Sequence, residues 1–155
     1  MSKFLSDLVI RECQSDENLW QLDDDLNYLS DLLKDPLSSS SISGIVHIPA
    51  GLYTDLASVP RVPFIYESWG NRAHRAAVLH DYLYRNDSTP VVSYSMANAV
   101  FREAMEATGA GWKIRWPMWT GVFLGGWTSY HKKNVAWHPG DDPPVCSDTS
   151  SAIQP

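Results

Sequence analysis

The chain has few cysteines and few basic residues. Its two cysteines, Cys13 and Cys146, lie near opposite ends of the chain, which excludes a zinc knuckle and a dense disulfide scaffold and leaves a single bridge open. Lys and Arg number 12 against 18 Asp and Glu, for a formal net charge of -6. Because nucleic-acid binding depends on basic side chains that neutralise phosphates, we expect no nucleic-acid partner.

Long apolar runs are also absent. The longest run, residues 116–127, is too short to cross a bilayer of about 30 Å, which takes about 20 helical residues. The first ten residues contain Lys3 and Asp7, where a signal peptide needs an unbroken apolar core. The sequence therefore predicts synthesis in a cytoplasm and no transmembrane segment.

What is present suits one small α+β domain. A chain of 155 residues with 44% hydrophobic residues can build a single core. We place this domain at residues 1–138 and read residues 139–155 as an extended tail rich in acidic residues, Ser and Pro. Short mixed segments separated by polar breaks predict a small antiparallel sheet, at residues 8–13, 18–22, 25–29 and 44–48. Residues 53–61 are dense in side chains that hydrogen-bond their own backbone, which predicts an ordered loop.

Three helices are expected to follow this sheet. Apolar residues at three- and four-residue spacings predict helices over residues 71–84 and 93–108, with a short connection that favours an antiparallel pair. Pro117 is tolerated best at the start of a helix, so we expect the third helix to begin there and Trp112 to precede it. Glycines weaken a helix, so Gly121, Gly125 and Gly126 predict close packing against a neighbour.

An adjacent imidazole and carboxylate, His80 and Asp81, interrupt the apolar stretch AAVLHDYLY at residues 76–84. Burying an unsatisfied polar group costs roughly 1 to 3 kcal/mol, so each side chain needs a partner. Asn98 is a second polar residue on an apolar helical stripe. If the two helices pack together, this amide faces His80 and Asp81.

Aromatic residues form a stripe on the third helix. Trp112, Trp116, Trp119, Phe123 and Trp127 are spaced by four, three, four and four residues, which places them on one face. Such a stripe usually closes a hydrophobic core. The alternative is a partner-binding surface, formed by Trp116, Trp119, Phe123 and Trp127, for a membrane or a neighbouring subunit.

The stretch VHIPAGLYTDLASVPR at residues 46–61, followed by AAVLHDYLY and by ANAVFREAM at residues 97–105, resembles a family of small phage and prophage proteins of unknown function. The resemblance covers about residues 22–109. It implies a phage-encoded protein made in the host cytoplasm, with a further location in the virion as an open alternative. Asn98 stands where the family pattern has Asp.

A weaker resemblance concerns mechanism. A helix with His-Asp and a following Tyr, next to a second helix with an acidic residue, resembles secreted phospholipases. The resemblance implies that His80 is the base, Asp81 a calcium ligand, Tyr84 a supporting hydroxyl and Asn98 the orienting group. A glycine-rich calcium loop is less evident, with candidates at residues 69–71 or around Gly51. No organic cofactor is implied.

Three functions remain open from the sequence. The first is a hydrolase-like protein, which is either a calcium-dependent acyl-ester hydrolase that acts on lipid or an inactive relative of one. The second is a non-enzymatic virion or tail component, and the third is a cytoplasmic inhibitor of a host factor. In the non-enzymatic cases the polar cluster is structural, with Thr54, Asp55, Ser58 and Arg61 bracing a loop. The other histidines show no metal-ligand spacing, which disfavours a metal phosphohydrolase.

Overall fold

The computed structural model describes residues 1–13, 19–35, 43–54, 56, 72–128 and 130. Strands come first and helices follow, so the α+β class predicted from the sequence is confirmed. The expected tail at residues 139–155 and the domain boundary at residue 138 lie outside the described residues. Within the described ranges, no helix combines the length and apolar character needed to cross a membrane.

In the described residues, six short strands form two antiparallel sheets rather than the single sheet expected. The strands are β1 (Lys3–Phe4), β2 (Ile10–Glu12), β3 (Trp20–Leu22), β4 (Leu26–Leu29), β5 (Ile45–Ile48) and β6 (Tyr53–Thr54). One sheet has the order β1-β4-β5 and the other β2-β3-β6. In the first sheet Leu26 lies opposite Ile48 and Tyr28 opposite Val46. These four side chains are fully buried, because alternate residues of a strand point to the same face.

The second sheet corrects one prediction. Residues 53 and 54, expected to begin a loop, form β6 and pair with β3, with Thr54 opposite Trp20. The strand propensity of Tyr and Thr fits this pairing, but a run of two residues is too short to show the alternation that marks a strand. Cys13 takes part in a disulfide, and the residue to which it is joined lies outside the described residues.

Three α-helices follow in the described part of the chain, namely α1 (Arg72–Leu83), α2 (Tyr94–Ala107) and α3 (Trp112–Gly125), with a 3₁₀ turn at Gly126–Thr128 after them. The hydroxyl of Ser93 caps α2 by accepting from the backbone N–H of Met96, as expected of an N-cap serine. Helices α1 and α2 pack against each other. Ala76 and Ala77 of α1 and Ala97 of α2 are fully buried, and such small side chains allow the two backbones to approach closely.

A single carboxylate ties α2 to the first sheet. Glu103 accepts hydrogen bonds from the hydroxyls of Tyr28 (3.0 Å) and Ser30 (2.7 Å) through one oxygen. Its other oxygen accepts from the backbone N–H groups of Asp31 (2.9 Å) and Leu32 (3.2 Å). Hydrogen bonds to a charged acceptor are stronger than neutral ones. This contact fixes the position of α2, and therefore of Asn98, relative to the strands.

The start of α3 differs from the prediction. The helix begins at Trp112, with Gly111 as its N-cap, and Pro117 lies inside it. Proline removes one backbone hydrogen bond, the one to the carbonyl four residues earlier. That carbonyl belongs to Lys113, which is exposed, so water can bond to it. The helix therefore continues through Pro117 at a lower cost than proline has in a buried helix.

The glycines of this region also behave differently from the prediction. A Cβ added at Gly121 or Gly125 would meet no atom within 4 Å. At Gly126 it would lie 2.6 Å from the hydroxyl oxygen of Tyr84. Close packing is therefore confirmed at one glycine and wrong for the other two, which lie on the open side of α3.

Candidate functional site

The last turns of α1 and the first turns of α2 enclose a polar network in the core. His80 is 1% exposed and Asn98 is fully buried. The Nε2 atom of His80 lies 3.1 Å from Oδ1 of Asn98, and the hydroxyl of Tyr84 donates to the same oxygen at 2.9 Å. The structure thus brings together three of the four residues predicted from the His-Asp motif.

The orientation of the Asn98 amide determines the protonation of His80. Nδ2 of Asn98 donates to the backbone carbonyl of Tyr94 at 2.9 Å, so Oδ1 must face the imidazole. Since Oδ1 accepts, the proton of the neutral imidazole is on Nε2, and Nδ1 carries the lone pair. The network therefore holds His80 in one tautomer.

Burial controls the charge of this histidine. Desolvation lowers the pKa of His80 from 6.5 to about 4, against a smaller opposing contribution from the hydrogen bond to Asn98. The imidazole is therefore neutral at pH 7. Desolvation also raises the pKa of the Tyr84 hydroxyl above its ordinary value, so this group remains a hydrogen-bond donor. Two aromatic rings contact the imidazole: Tyr84, with ring centroids 3.9 Å apart, and Phe101, at 4.7 Å.

Asp81 belongs to a separate contact between α1 and β6. The hydroxyl of Thr54 donates to Oδ2 of Asp81 at 2.6 Å and accepts from the backbone N–H of Leu56 at 3.2 Å. Leu56 has a φ of 51°, a left-handed conformation that costs a residue with a Cβ roughly 1 to 2 kcal/mol. Thr54 thus connects a strained residue to the helix that carries His80. That Thr54 braces the loop stays a prediction.

The remaining predicted loop residues, Asp55, Ser58 and Arg61, lie outside the described residues. Among the residues that the structure does describe, no group of three or more His, Cys, Asp or Glu side chains could hold a metal ion. Calcium prefers six to eight oxygen ligands, and the Thr54–Asp81 contact offers only one carboxylate and one hydroxyl. The described residues alone therefore do not complete a calcium site.

The aromatic stripe of α3 is not the core element that its spacing favoured. The inward side chains of α3 are Met118 and Val122, whereas Trp116, Phe123 and Trp127 are exposed. Trp119 is half-buried and its ring stacks on Phe123 with centroids 5.1 Å apart. The core interpretation is wrong for the exposed residues because α3 rests on the protein through its opposite side.

Several residues of the site were missed by the sequence reasoning. Tyr94 provides the carbonyl that orients Asn98, and its position four residues earlier on the same helix could have identified it. Phe101 lies one turn after Asn98 on the predicted stripe. The sequence predicts close packing at Gly126, but nothing in it identifies Tyr84 as the neighbour or distinguishes this glycine from Gly125.

Comparisons with known proteins give one match. A family model described as "protein of unknown function (DUF1353)" matches residues 31–122. No curated protein and no solved structure matches the chain. The matched range includes β5, β6, α1 and α2, and so contains the whole His80–Asn98–Tyr84 network.

Proposed function

Since the chain belongs to the DUF1353 family of proteins of unknown function, we propose a function from its own site: a hydrolase-like protein in which His80 activates water against an acyl ester. The motif resemblance to phage proteins supports a phage-encoded chain. The observation that carries the proposal is the hydrogen bond from His80 Nε2 to Asn98 Oδ1 across two helices.

This hydrogen bond gives the imidazole the properties of an oriented base. The hydrogen bond fixes the ring in one tautomer, whereas burial lowers its pKa to about 4. The imidazole is therefore unprotonated at pH 7 and a weaker base than a free imidazole. In the proposed step the imidazole takes a proton from water, and the hydroxide attacks the ester carbonyl carbon. The tetrahedral intermediate then expels the alkoxide, which receives the proton from the imidazolium. Because His80 is 1% exposed, the step requires an opening motion that admits water and substrate.

Asn98 limits the rate of this reaction. An amide orients the ring but provides no negative charge to stabilise the imidazolium. The corresponding Asp-to-Asn change in a serine-protease triad costs about 10⁴ in rate. The proposed hydrolase is therefore slow. If the rate falls to that of the uncatalysed reaction, the protein is an inactive relative of such a hydrolase.

In the proposed hydrolase, Asp81 is the residue that would bind calcium. When bound, the ion would polarise the ester carbonyl, but the described residues do not complete its site, so no step above depends on it. Calcium that binds only the folded state at a hundredfold excess over Kd stabilises by about 2.7 kcal/mol. A calcium titration followed by thermal unfolding should then raise Tm by several degrees, and an unchanged Tm removes calcium from the proposal.

Hydrolysis of a fluorogenic acyl ester tests the base. We expect His80→Gln to abolish the wild-type rate and Asn98→Asp to raise it at least tenfold, because a carboxylate stabilises the imidazolium. The matched control is Asn27→Asp, since Asn27 makes the same contact to exposed His47, at 2.9 Å, and should leave the rate unchanged. If Asn98→Asp proves unfolded by circular dichroism, the ratio of wild type to His80→Gln decides, and equal rates refute the proposal.

The alternative is a non-enzymatic virion or tail component. One observation favours it: the Asn98 amide uses both its oxygen and its nitrogen within the protein, as in networks that specify a fold without chemistry. Co-purification with virions, together with ester hydrolysis that is the same for wild type and His80→Gln, would establish this alternative.

A further inference from the structure

The outer face of α3 and of the 3₁₀ turn after it is apolar and exposed. We define this face by its five exposed large side chains, which are Trp112 (66% exposed), Trp116 (45%), Phe123 (38%), Leu124 (76%) and Trp127 (67%). The helix meets the core through its opposite side, at Met118 and Val122. A contiguous apolar patch of this kind marks an interaction surface.

The sequence segment that contains this outer face differs in charge from the rest of the chain. Residues 108–140 contain five of the seven tryptophans and no Asp or Glu. The same segment carries four of the 12 basic residues, which are Lys113, Arg115, Lys132 and Lys133, while all 18 acidic residues lie elsewhere. An acidic protein therefore presents its aromatic surface within a positively charged segment. Charge asymmetry of this kind is typical of chains that bind anionic surfaces.

Cations are held beside the exposed rings. The Arg102 guanidinium carbon lies 5.2 Å from the ring centroid of Trp116 and 5.4 Å from that of Trp119. The Lys113 ammonium lies 5.8 Å from the ring centroid of Trp112. Arg115 is paired with Glu106 at 2.7 Å, so its charge is already compensated. Arg102 and Lys113 are thus the cations placed to meet negative groups next to the aromatic face.

We propose that the outer face of α3 binds the surface of a lipid bilayer that contains anionic phospholipids. Tryptophan is enriched where hydrocarbon meets headgroups, and flanking Lys and Arg interact with lipid phosphates. The 14-residue helix is about 21 Å long, too short to cross the bilayer and suited to lying in its surface. A nucleic acid would require a row of cations rather than a row of rings. Binding at this face does not depend on the proposed hydrolase activity.

Co-sedimentation of the full chain with large vesicles tests the proposal. Vesicles of phosphatidylcholine alone are compared with vesicles in which roughly a third is phosphatidylglycerol. We expect binding to the anionic vesicles, weaker binding at high salt, and a blue shift of tryptophan fluorescence. Replacing Lys113 by Gln should weaken binding about fivefold, as one basic side chain near an anionic surface contributes about that factor.

Apolar contact is tested by the double variant Trp112→Ser/Leu124→Ser, which should lower vesicle affinity at least tenfold. The control is Leu32→Ser/Val91→Ser, which alters two apolar side chains exposed at 47% and 61% outside this face and should bind as wild type does. Three outcomes would overturn the proposal: equal binding to both vesicle types, the same loss in the control, or no vesicle binding with a dimer that Trp112→Ser/Leu124→Ser dissociates. The last outcome would assign the face to a second copy of the chain.

Discussion

Acidification should destabilise the protein through His80. The folded protein holds this imidazole neutral, with a pKa lowered from 6.5 to about 4 by burial. The unfolded chain takes up a proton near pH 6.5 while the folded protein does not, so a falling pH stabilises the unfolded state relative to the folded one. The stability that depends on the neutral imidazole is complete above pH 6.5 and is lost as the pH approaches 4. The shift corresponds to about 3 kcal/mol between pH 7 and pH 4, of which about 2 kcal/mol is lost by pH 5.

Urea denaturation of wild type and His80→Gln between pH 7 and pH 4 measures this loss. Glutamine cannot take up a proton, yet its amide can donate to Asn98, so the variant should lose about 3 kcal/mol less than wild type over this range. His47→Gln is the matched control, because it makes the same substitution at a histidine whose side chain is 57% exposed. If His80→Gln and wild type decline in parallel, the imidazole is not held neutral by burial and the reasoning fails.

Three further predictions concern stability and are checked by thermal unfolding. Gly126→Ala should lower the free energy of unfolding by about 1 to 3 kcal/mol, because the new Cβ would lie 2.6 Å from the Tyr84 hydroxyl, which its hydrogen bond to Asn98 holds in place. Gly121→Ala, on the open side of α3, should instead stabilise the protein by up to about 1 kcal/mol. Glu103→Ala should cost about 3 kcal/mol, since it strands two hydroxyls and two backbone N–H groups, and Glu103→Gln should cost less; equal losses would contradict this. Thr54→Val should cost about 1 to 2 kcal/mol by removing the donor to the α1 carboxylate, and Thr54→Ser should retain most of that stability.

The polar network could be predicted from the sequence because its residues follow the periodicity of two helices. His80 and Tyr84 are four residues apart and Asn98 interrupts an apolar stripe, so helix geometry places all three toward the interface of two helices. The same reasoning predicted a helix over residues 93–108, which contains the observed α2. These predictions needed no knowledge of distant contacts.

Other features depend on tertiary contacts that the local pattern does not contain. The spacing of the tryptophans on α3 gives the helix an aromatic face, but only the packing of Met118 and Val122 determines that this face points outward. The split into two sheets depends on the pairing of β6 with β3, which are about thirty residues apart in the chain. The two residues of β6 are too few to show the alternation of apolar and polar side chains that marks a strand. The Glu103 contact likewise joins positions more than seventy residues apart, and a carboxylate on a helix usually predicts a solvated surface.

Tyr84 has a consequence for how the two ends of the molecule influence each other. Its hydroxyl bonds to Asn98 inside the core, and its ring lies against Gly126 at the foot of the aromatic helix. A displacement of that helix by a docked surface would be transmitted through one rigid ring to the amide that orients the imidazole. Binding at the outer face of α3 and the proton affinity of His80 are then thermodynamically linked. A change in either one would change the other.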